Sequence, residues 1–266
     1  MADAGSGRLR VVTMTPSATE IVHAVGAFDL LVGVDQYSSY PPEAKSLPKV
    51  GDFLSPSLEA MVALHPDIAV LDAVQERFAE KLKAVGIRTL ALPMQNISDI
   101  RHALVAVGEA LGRADAAAAQ VARLDARLAQ AEARAKEAAQ RAGRRPRVLF
   151  IVDRRSGGLA GMVAAGPGTY IDELLGRAGV ENALADAKVR YVQISAEEVL
   201  ARAPDVILDA IHVDDPEKAR GDWNALASVP AVAQGRVHVL GDPLFVTPGP
   251  RLDEAFERLC DILWPR

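Results

Sequence analysis

The chain has 266 residues, half of them hydrophobic and about a quarter charged, with a formal net charge of −5. That composition is globular, long enough for two compact lobes or one large domain. The acid excess argues against a nucleic-acid binder, which needs a basic face. The single cysteine, Cys260, excludes an intramolecular disulfide and a thiolate-rich metal site.

The opening stretch, MADAGSGRLR, has no apolar run and so reads as no signal peptide. No uninterrupted apolar run is long enough to span a bilayer. Arg10 to Met14 reads as a short strand. Thr15-Pro16-Ser17 breaks it, and Ser17 or Thr19 is placed to cap a helix over Glu20 to Val25 that Gly26 ends. A second strand, Leu30 to Val34, runs into the loop Asp35-Gln36-Tyr37-Ser38-Ser39-Tyr40-Pro41-Pro42, stiffened by its prolines.

A pattern follows that occurs twice. Its first copy runs from Ser57-Leu58-Glu59 to Pro66-Asp67-Ile68, and its second from Ser195-Ala196-Glu197 to Pro204-Asp205-Val206. Each copy reads as a capped helix, a Pro-Asp turn and a buried strand. The interval is too long for a solenoid array and suits two related α/β lobes with a cleft between them. Between the copies lie a helix near Glu76 to Val85, a strand Thr89 to Leu92 and a helix near Ile97 to Leu111. Such β-α-β alternation implies mostly parallel, Rossmann-like sheets covered on both faces.

Asp115 to Arg141 lacks Gly and Pro and repeats Val121, Leu124, Leu128, Ala131 and Ala135 at helical spacing. It reads as one packed connecting helix of roughly 40 Å rather than a coiled coil. The cluster Arg141, Arg144, Arg145 and Arg147 reads as that helix's solvated end. The expected organisation is an N-terminal lobe over 8–112, a linking helix over 113–143 and a C-terminal lobe over 144–266. In the last lobe come a strand Arg147 to Val152, a long Gly-rich loop Arg154 to Gly168 and a helix Tyr170 to Ala178. After the second copy come a strand Val237 to Leu240, a loop Gly241 to Pro250 and an amphipathic helix Arg251 to Leu263 that buries Cys260.

Chemistry-bearing motifs are missing. Gly166-Pro167-Gly168 does not complete a dinucleotide fingerprint, and neither a phosphate-binding loop nor a zinc-protease or hydrolase motif is present. No metal site or catalytic set is expected from the five scattered histidines. A binder is favoured over an enzyme. The enzyme alternative would use His212, Asp214 and Asp242 in the cleft. A further alternative is an interaction protein that leaves the Leu124–Leu128 stripe exposed.

The ordered series of strand, Thr-Pro-Ser-x-Thr-Glu helix, Tyr-x-x-Tyr-Pro-Pro loop, Ser-x-Glu repeat, linking helix and Gly249-Pro250-Arg251 resembles the helical-backbone substrate-binding proteins of ABC importers. The likeness runs from about Arg8 to the C-terminus. It implies two α/β lobes spanned by one stiff helix, ligand in the cleft, small closure motions, and no catalysis. It also implies a permease and its ATPase as partners, a monomer, and a periplasmic or membrane-anchored extracytoplasmic location. Glu59 and Glu197 match the acids that dock on permease arginines, although Ser57 and Ser195 also read as ordinary helix caps. Glu198 is expected to complete a capping box behind Ser195, leaving Glu197 free.

For the ligand, the resemblance implies cobalamin or a related corrinoid ahead of haem and then a ferric siderophore. The haem branch places a Tyr where this chain has Asp52. Tyr37 matches a loop aromatic of the cobalamin branch, while Phe53 and Tyr191 take the places of Trp residues. Asp242 matches a polar residue of the last loop, and Phe245 in that loop is also expected to touch the ligand. Asp72 stands where that branch has a further Trp, so it would hydrogen-bond a corrin amide rather than stack. Arg154, Arg155, Arg190 and Arg251 are the cations an anionic chelate would need.

Overall fold

The computed structural model describes residues 8–265, so MADAGSG and Arg266 lie outside the described residues. The chain divides into two compact units, the first ending at Leu124 and the second beginning at Asp125. Each has its own sheet.

The first unit follows a strand-helix alternation: β1 (Val11–Thr13), α1 (Pro16–Ala24), β2 (Leu31–Gly33), α2 (Leu58–Ala63), β3 (Ile68–Asp72), α3 (Glu76–Ala84), β4 (Arg88–Leu92) and α4 (Ile97–Ala110). The strands form one parallel sheet in the order β2-β1-β3-β4. β1 and β3 are buried on both faces, except Asp72 at the strand's end, as parallel strands covered by helices must be. α1 is capped by Thr15, whose side chain accepts the Ala18 N–H, rather than by Ser17 or Thr19. Pro16 sits in the first turn, where its missing N–H costs nothing, and this moves the cap one residue upstream.

α5 (Ala114–Ala142) is one uninterrupted helix of 29 residues, and the division between the units falls inside it. Leu124, Leu128, Ala131 and Ala135 are buried, so the stripe is core and not an exposed pairing surface.

The second unit contains β5 (Arg147–Asp153), β6 (Met162–Ala165), α6 (Tyr170–Arg177), β7 (Glu181–Asn182), β8 (Tyr191–Ile194), α7 (Ala196–Arg202), β9 (Val206–Asp209), α8 (Pro216–Gly221), α9 (Pro230–Ala233), β10 (Val237–Val239) and α10 (Leu252–Leu263). Its sheet runs β10-β9-β5-β6-β8, with β7 beside β5. It is mixed: β6 is antiparallel to both β5 and β8. The Gly-rich stretch expected as loop therefore holds a strand. It was hidden because Met162-Val163-Ala164-Ala165 is short and lies between glycines. Cys260 is buried in α10, and burial pushes its thiol up to about 12.

The two sequence repeats are the same local structure. Ser57 and Ser195 each cap their helix by accepting an N–H three residues on. Each helix is followed by a non-glycine residue at positive φ, His65 at 46° and Ala203 at 45°. Asp67 then accepts the Arg10 N–H at 2.7 Å, and Asp205 accepts the Arg147 N–H at 2.8 Å. The guanidinium of each arginine donates back to the end of the helix, Arg10 to Leu64 O at 2.7 Å and Arg147 to Arg202 O at 2.6 Å. Helix, turn and central strand are thus locked twice by one device.

In the second unit the deepest polar feature is an ion pair. Arg154 donates to Asp209 at 2.8 Å, with neither side chain exposed, and to Asp222 at 2.8 Å. Ala219 O and Gly158 O each accept a further N–H from it, and Trp223 Nε1 donates to Asp209. Breaking such a pair leaves a buried charge alone, which costs about 3–5 kcal/mol. Arg154→Met should therefore lower unfolding stability by about that amount. Both tryptophans lie in the second unit, so urea unfolding followed by their fluorescence measures it. A loss under about 1 kcal/mol would contradict this reading of the pair.

Candidate functional site

In the first sheet the chain leaves β1 to one side for β2 and later returns to the other side for β3. Open α/β sheets bind ligands outside the carboxyl ends of strands at such a switch point. The loops arising there are those after β1, β2 and β3. They carry Thr15, the Asp35–Ser38 turn and Asp72.

Tyr37 projects from the second loop with 65% of its surface exposed, so packing does not hold it. The backbone beneath it is held by buried polar groups. Asp35 accepts from Ser38 Oγ at 2.6 Å and from the Tyr37 N–H at 3.2 Å. Ser38 Oγ meets Thr19 Oγ1 at 2.8 Å, and Thr19 Oγ1 meets Thr13 Oγ1 at 2.6 Å. This chain of hydroxyls ties the loop to β1 and α1. Lys49 adds donations to the carbonyls of Asp35, Ser38 and Ala44. Burial pushes the Asp35 carboxyl up, against the Ser38 and Tyr37 bonds and the Lys49 charge, which pull it down. Burial likewise lowers Lys49.

Phe53 lies on the neighbouring turn. Asp52 Oδ1 accepts the N–H groups of Leu54 at 2.8 Å and Ser55 at 2.7 Å, and Gln36 Nε2 donates to Asp52 Oδ2. Gly51, at φ +96°, admits the tight return, since a Cβ there would meet Ser55 O at 2.5 Å. The buried Gln75 links this turn to β3: its Nε2 donates to Phe53 O at 3.0 Å, and its Oε1 accepts the Asp72 N–H at 3.2 Å. Asp72 caps the short helical turn after β3 through the Val74 N–H. Its carboxyl is raised, first by burial and further by Asp99, with the Val74 bond opposing. Tyr37, Phe53 and Asp72 are thus stitched onto one edge of one sheet. Leu54 and Val74, 86% and 63% exposed, flank them and went unread in the sequence. An apolar residue next to a functional turn has no periodicity to mark it.

In the second unit, Tyr191 begins β8 opposite Ala165 and is 41% exposed. Gly166 sits beside it, where a Cβ would meet Val189 O at 2.5 Å, so the two segments meet closely only because this residue is glycine. The buried Tyr170 lies near Tyr191 and donates to Phe245 O at 3.3 Å. Phe245 itself is buried, with the Arg258 guanidinium 4.7 Å from its ring centre. Asp242 caps the turn before Phe245 through the Leu244 N–H and pairs with Arg258 at 2.6 Å. Burial opposes charge on Asp242, but Arg258, the Leu244 bond and Arg251 outweigh it and hold the carboxyl low.

Other sequence candidates are engaged elsewhere. Arg154 is inside the buried pair described above, and Arg190 donates to Gly168 O at 3.2 Å. His212 and Asp214 line a concavity of about 400 Å³ that does not include Asp242. Asp215 caps α8 through the Lys218 N–H. Glu59 and Glu197 are exposed in the first turns of their helices. Glu197 is lowered by its own backbone N–H and by Ser195, while Glu198 reaches Arg202 at 3.4 Å instead of folding back to the cap.

The sequence matches the model of a family described as periplasmic binding protein over residues 11–244. It is 30% identical to the vitamin B12-binding protein of Salmonella typhimurium, across 96% of this chain and 90% of that protein. An ABC transporter substrate-binding lipoprotein of Bacillus subtilis is 28% identical, across 96% of this chain and 80% of that protein. Among solved structures, a periplasmic heme-binding protein from Pseudomonas aeruginosa aligns with a TM-score of 0.85 and 30% identity, covering 96% and 92% of the two chains.

The raised Asp35 carboxyl has a sign that can be checked. A folded pKa above the unfolded one gives stability that is present at low pH and lost as pH rises through the folded value. The unfolding free energy of the wild type minus that of Asp35→Asn should therefore fall as pH rises above about 4. Hydrogen exchange of the β1 amides at several pH values measures it. Parallel profiles for the two proteins would refute the assignment.

Proposed function

This chain belongs to the periplasmic binding protein family, and we propose that it captures cobalamin or a related corrinoid and delivers it to an ABC-importer permease. The observation carrying this reading is the apolar and aromatic surface at the carboxyl edge of the first sheet, held out by buried polar clips. Tyr37 and Phe53 with Leu54 and Val74 in the first unit, and Tyr191 in the second, supply large contact area at low entropic cost. Such surfaces suit a rigid, flat macrocycle. Asp72 serves as its hydrogen-bond partner. Asp242 and Phe245 act from behind through Arg258 and Tyr170.

The competing cargoes are haem and ferric chelates, and the heme-binding structure keeps haem in view. Where the haem branch places a tyrosine, Asp52 has both carboxylate oxygens engaged within its own turn region. Arg154 and Arg190, two cations that an anionic chelate would use, donate to groups of the protein itself. Both observations favour a neutral, amide-rimmed ligand.

Glu59 and Glu197 stand at equivalent places in the two repeats, exposed and acidic. We assign them to docking on basic residues of the permease, the ATPase acting through that permease. The protein works outside the cytoplasm, in the periplasm or anchored at the membrane surface. Among the described residues no helix is long and apolar enough to cross a membrane.

Calorimetric titration with cyanocobalamin, hemin and a ferric siderophore tests the cargo. Cyanocobalamin should bind, and Tyr37→Ala and Tyr191→Ala should each weaken it about 5- to 30-fold, the range for truncating a buried aromatic contact. Tight hemin binding with no cobalamin binding, or unchanged affinity in the double variant, would overturn the reading. Glu59→Ala and Glu197→Ala should bind cyanocobalamin within about twofold of wild type yet fail to support uptake through a reconstituted transporter. Full uptake by the doubly substituted protein would remove the docking role.

A further inference from the structure

The arginine cluster at the end of α5 is not used by the ligand site. It borders a concavity of about 920 Å³ between the carboxyl-terminal halves of α5 and α10, at the amino-terminal edge of the second sheet. This is the opposite edge of that sheet from Arg154 and Asp209. Arg141, Arg144 and Arg236 line it, with Trp264 beside them.

Its charges are unbalanced at one end. Arg134, also in the wall, pairs with Glu257 at 3.4 Å. The acids in the wall are Glu137 and Asp261. Among the described residues the side chains of Arg141 and Arg144 make no ion pair or hydrogen bond. Among the described residues no acceptor meets Arg236 Nη1, which is shielded from solvent. The helix carboxyl ends offer carbonyls that suit cations, yet none of them takes up that donor. Burial lowers the Arg236 pKa, the nearby Arg144 charge lowers it further, and only Asp205 works the other way. The Asp205 carboxylate already accepts the Arg147 N–H. A guanidinium nitrogen held out of water beside a second cation is unfavourable unless an anion joins them.

We propose that this concavity binds a phosphate-class oxyanion, with Arg236 and Arg144 as its paired donors and Arg141 at the mouth. The volume admits a phosphate carried on a small head group as well as the free ion. The two sources share this chemistry and separate on testing.

The test is calorimetric titration of the whole protein with sodium phosphate at constant ionic strength, with chloride as control, alongside co-sedimentation with phosphatidylglycerol and phosphatidylcholine vesicles. Phosphate or phosphatidylglycerol should bind saturably, and Arg144→Gln and Arg236→Gln should each weaken that binding about tenfold or more. Retention on phosphatidylglycerol alone supports the proposal with a lipid head group as source, and binding of phosphate alone supports it with a soluble one. Should Arg236→Gln fail to fold, the exposed Arg141→Gln and Arg144→Gln variants carry the test. Neither probe binding, or binding that survives both Arg144→Gln and Arg236→Gln, would overturn the proposal.

Discussion

A ring held out in water gains nothing from packing, so the backbone beneath it must be fixed by something else. Here that role falls to the buried chain Thr13–Thr19–Ser38–Asp35. A hydroxyl can both donate and accept, so three of them can relay hydrogen bonds to one carboxylate without water. The network crosses from the central strand through α1 to the Tyr37 loop. It converts the stability of the sheet into the position of a surface side chain. Gln75 does the same for Phe53 and Asp72 with a single side-chain amide. An edge built this way is organised in advance, so the proposed ligand would meet little opposing ordering entropy.

The repeated helix-turn-strand device gives the two units one local plan. The left-handed residues His65 and Ala203 are strained, by about 1–2 kcal/mol each for a side chain without glycine's freedom. Each is offset locally by the Asp-to-N–H bond and by the arginine that returns to the helix's last carbonyls. The geometry also fixes the amino ends of α2 and α7 at the carboxyl edge of each sheet, and so fixes where Glu59 and Glu197 stand. The carboxylates differ in their immediate bonding, since Glu197 is tied to Ser195 and its own N–H. That bond orients the group without removing it from solvent.

Local signals were legible and long-range polar pairings were not. The caps Ser57 and Ser195, the buried stripe through Leu124 and Leu128, and the burial of Cys260 all follow from spacing within one helix. Pro16 displaced the expected cap of α1 to Thr15, a one-residue effect of a missing N–H. Arg154 read as a cleft cation for an anionic ligand because its partner Asp209 lies on another strand, and nothing near Arg154 in the chain announces it. Arg147 read as part of a solvated helix end, yet it opens β5, and its N–H, like that of Arg10, pairs with an aspartate more than fifty residues away. β6 was missed because a strand of four residues between glycines has too little periodicity to register. Among the candidate ligand contacts, the sequence could name aromatic positions but not their exposure. Tyr37 and Phe245 look alike as loop aromatics, yet one stands in solvent and the other is buried under Arg258.

Asp72 brings these threads to the question of cargo. A carboxyl raised by burial and by Asp99 resists taking a full charge next to another anion. On the proposed reading, a carboxylate-rimmed ligand such as haem would bring its propionates to an acid rather than to a cation. A primary amide both donates and accepts, so it can meet Asp72 in either protonation state without placing a second charge there. On the proposed reading, discrimination would rest on the charges left unpaired for the wrong ligand as much as on what the surface attracts.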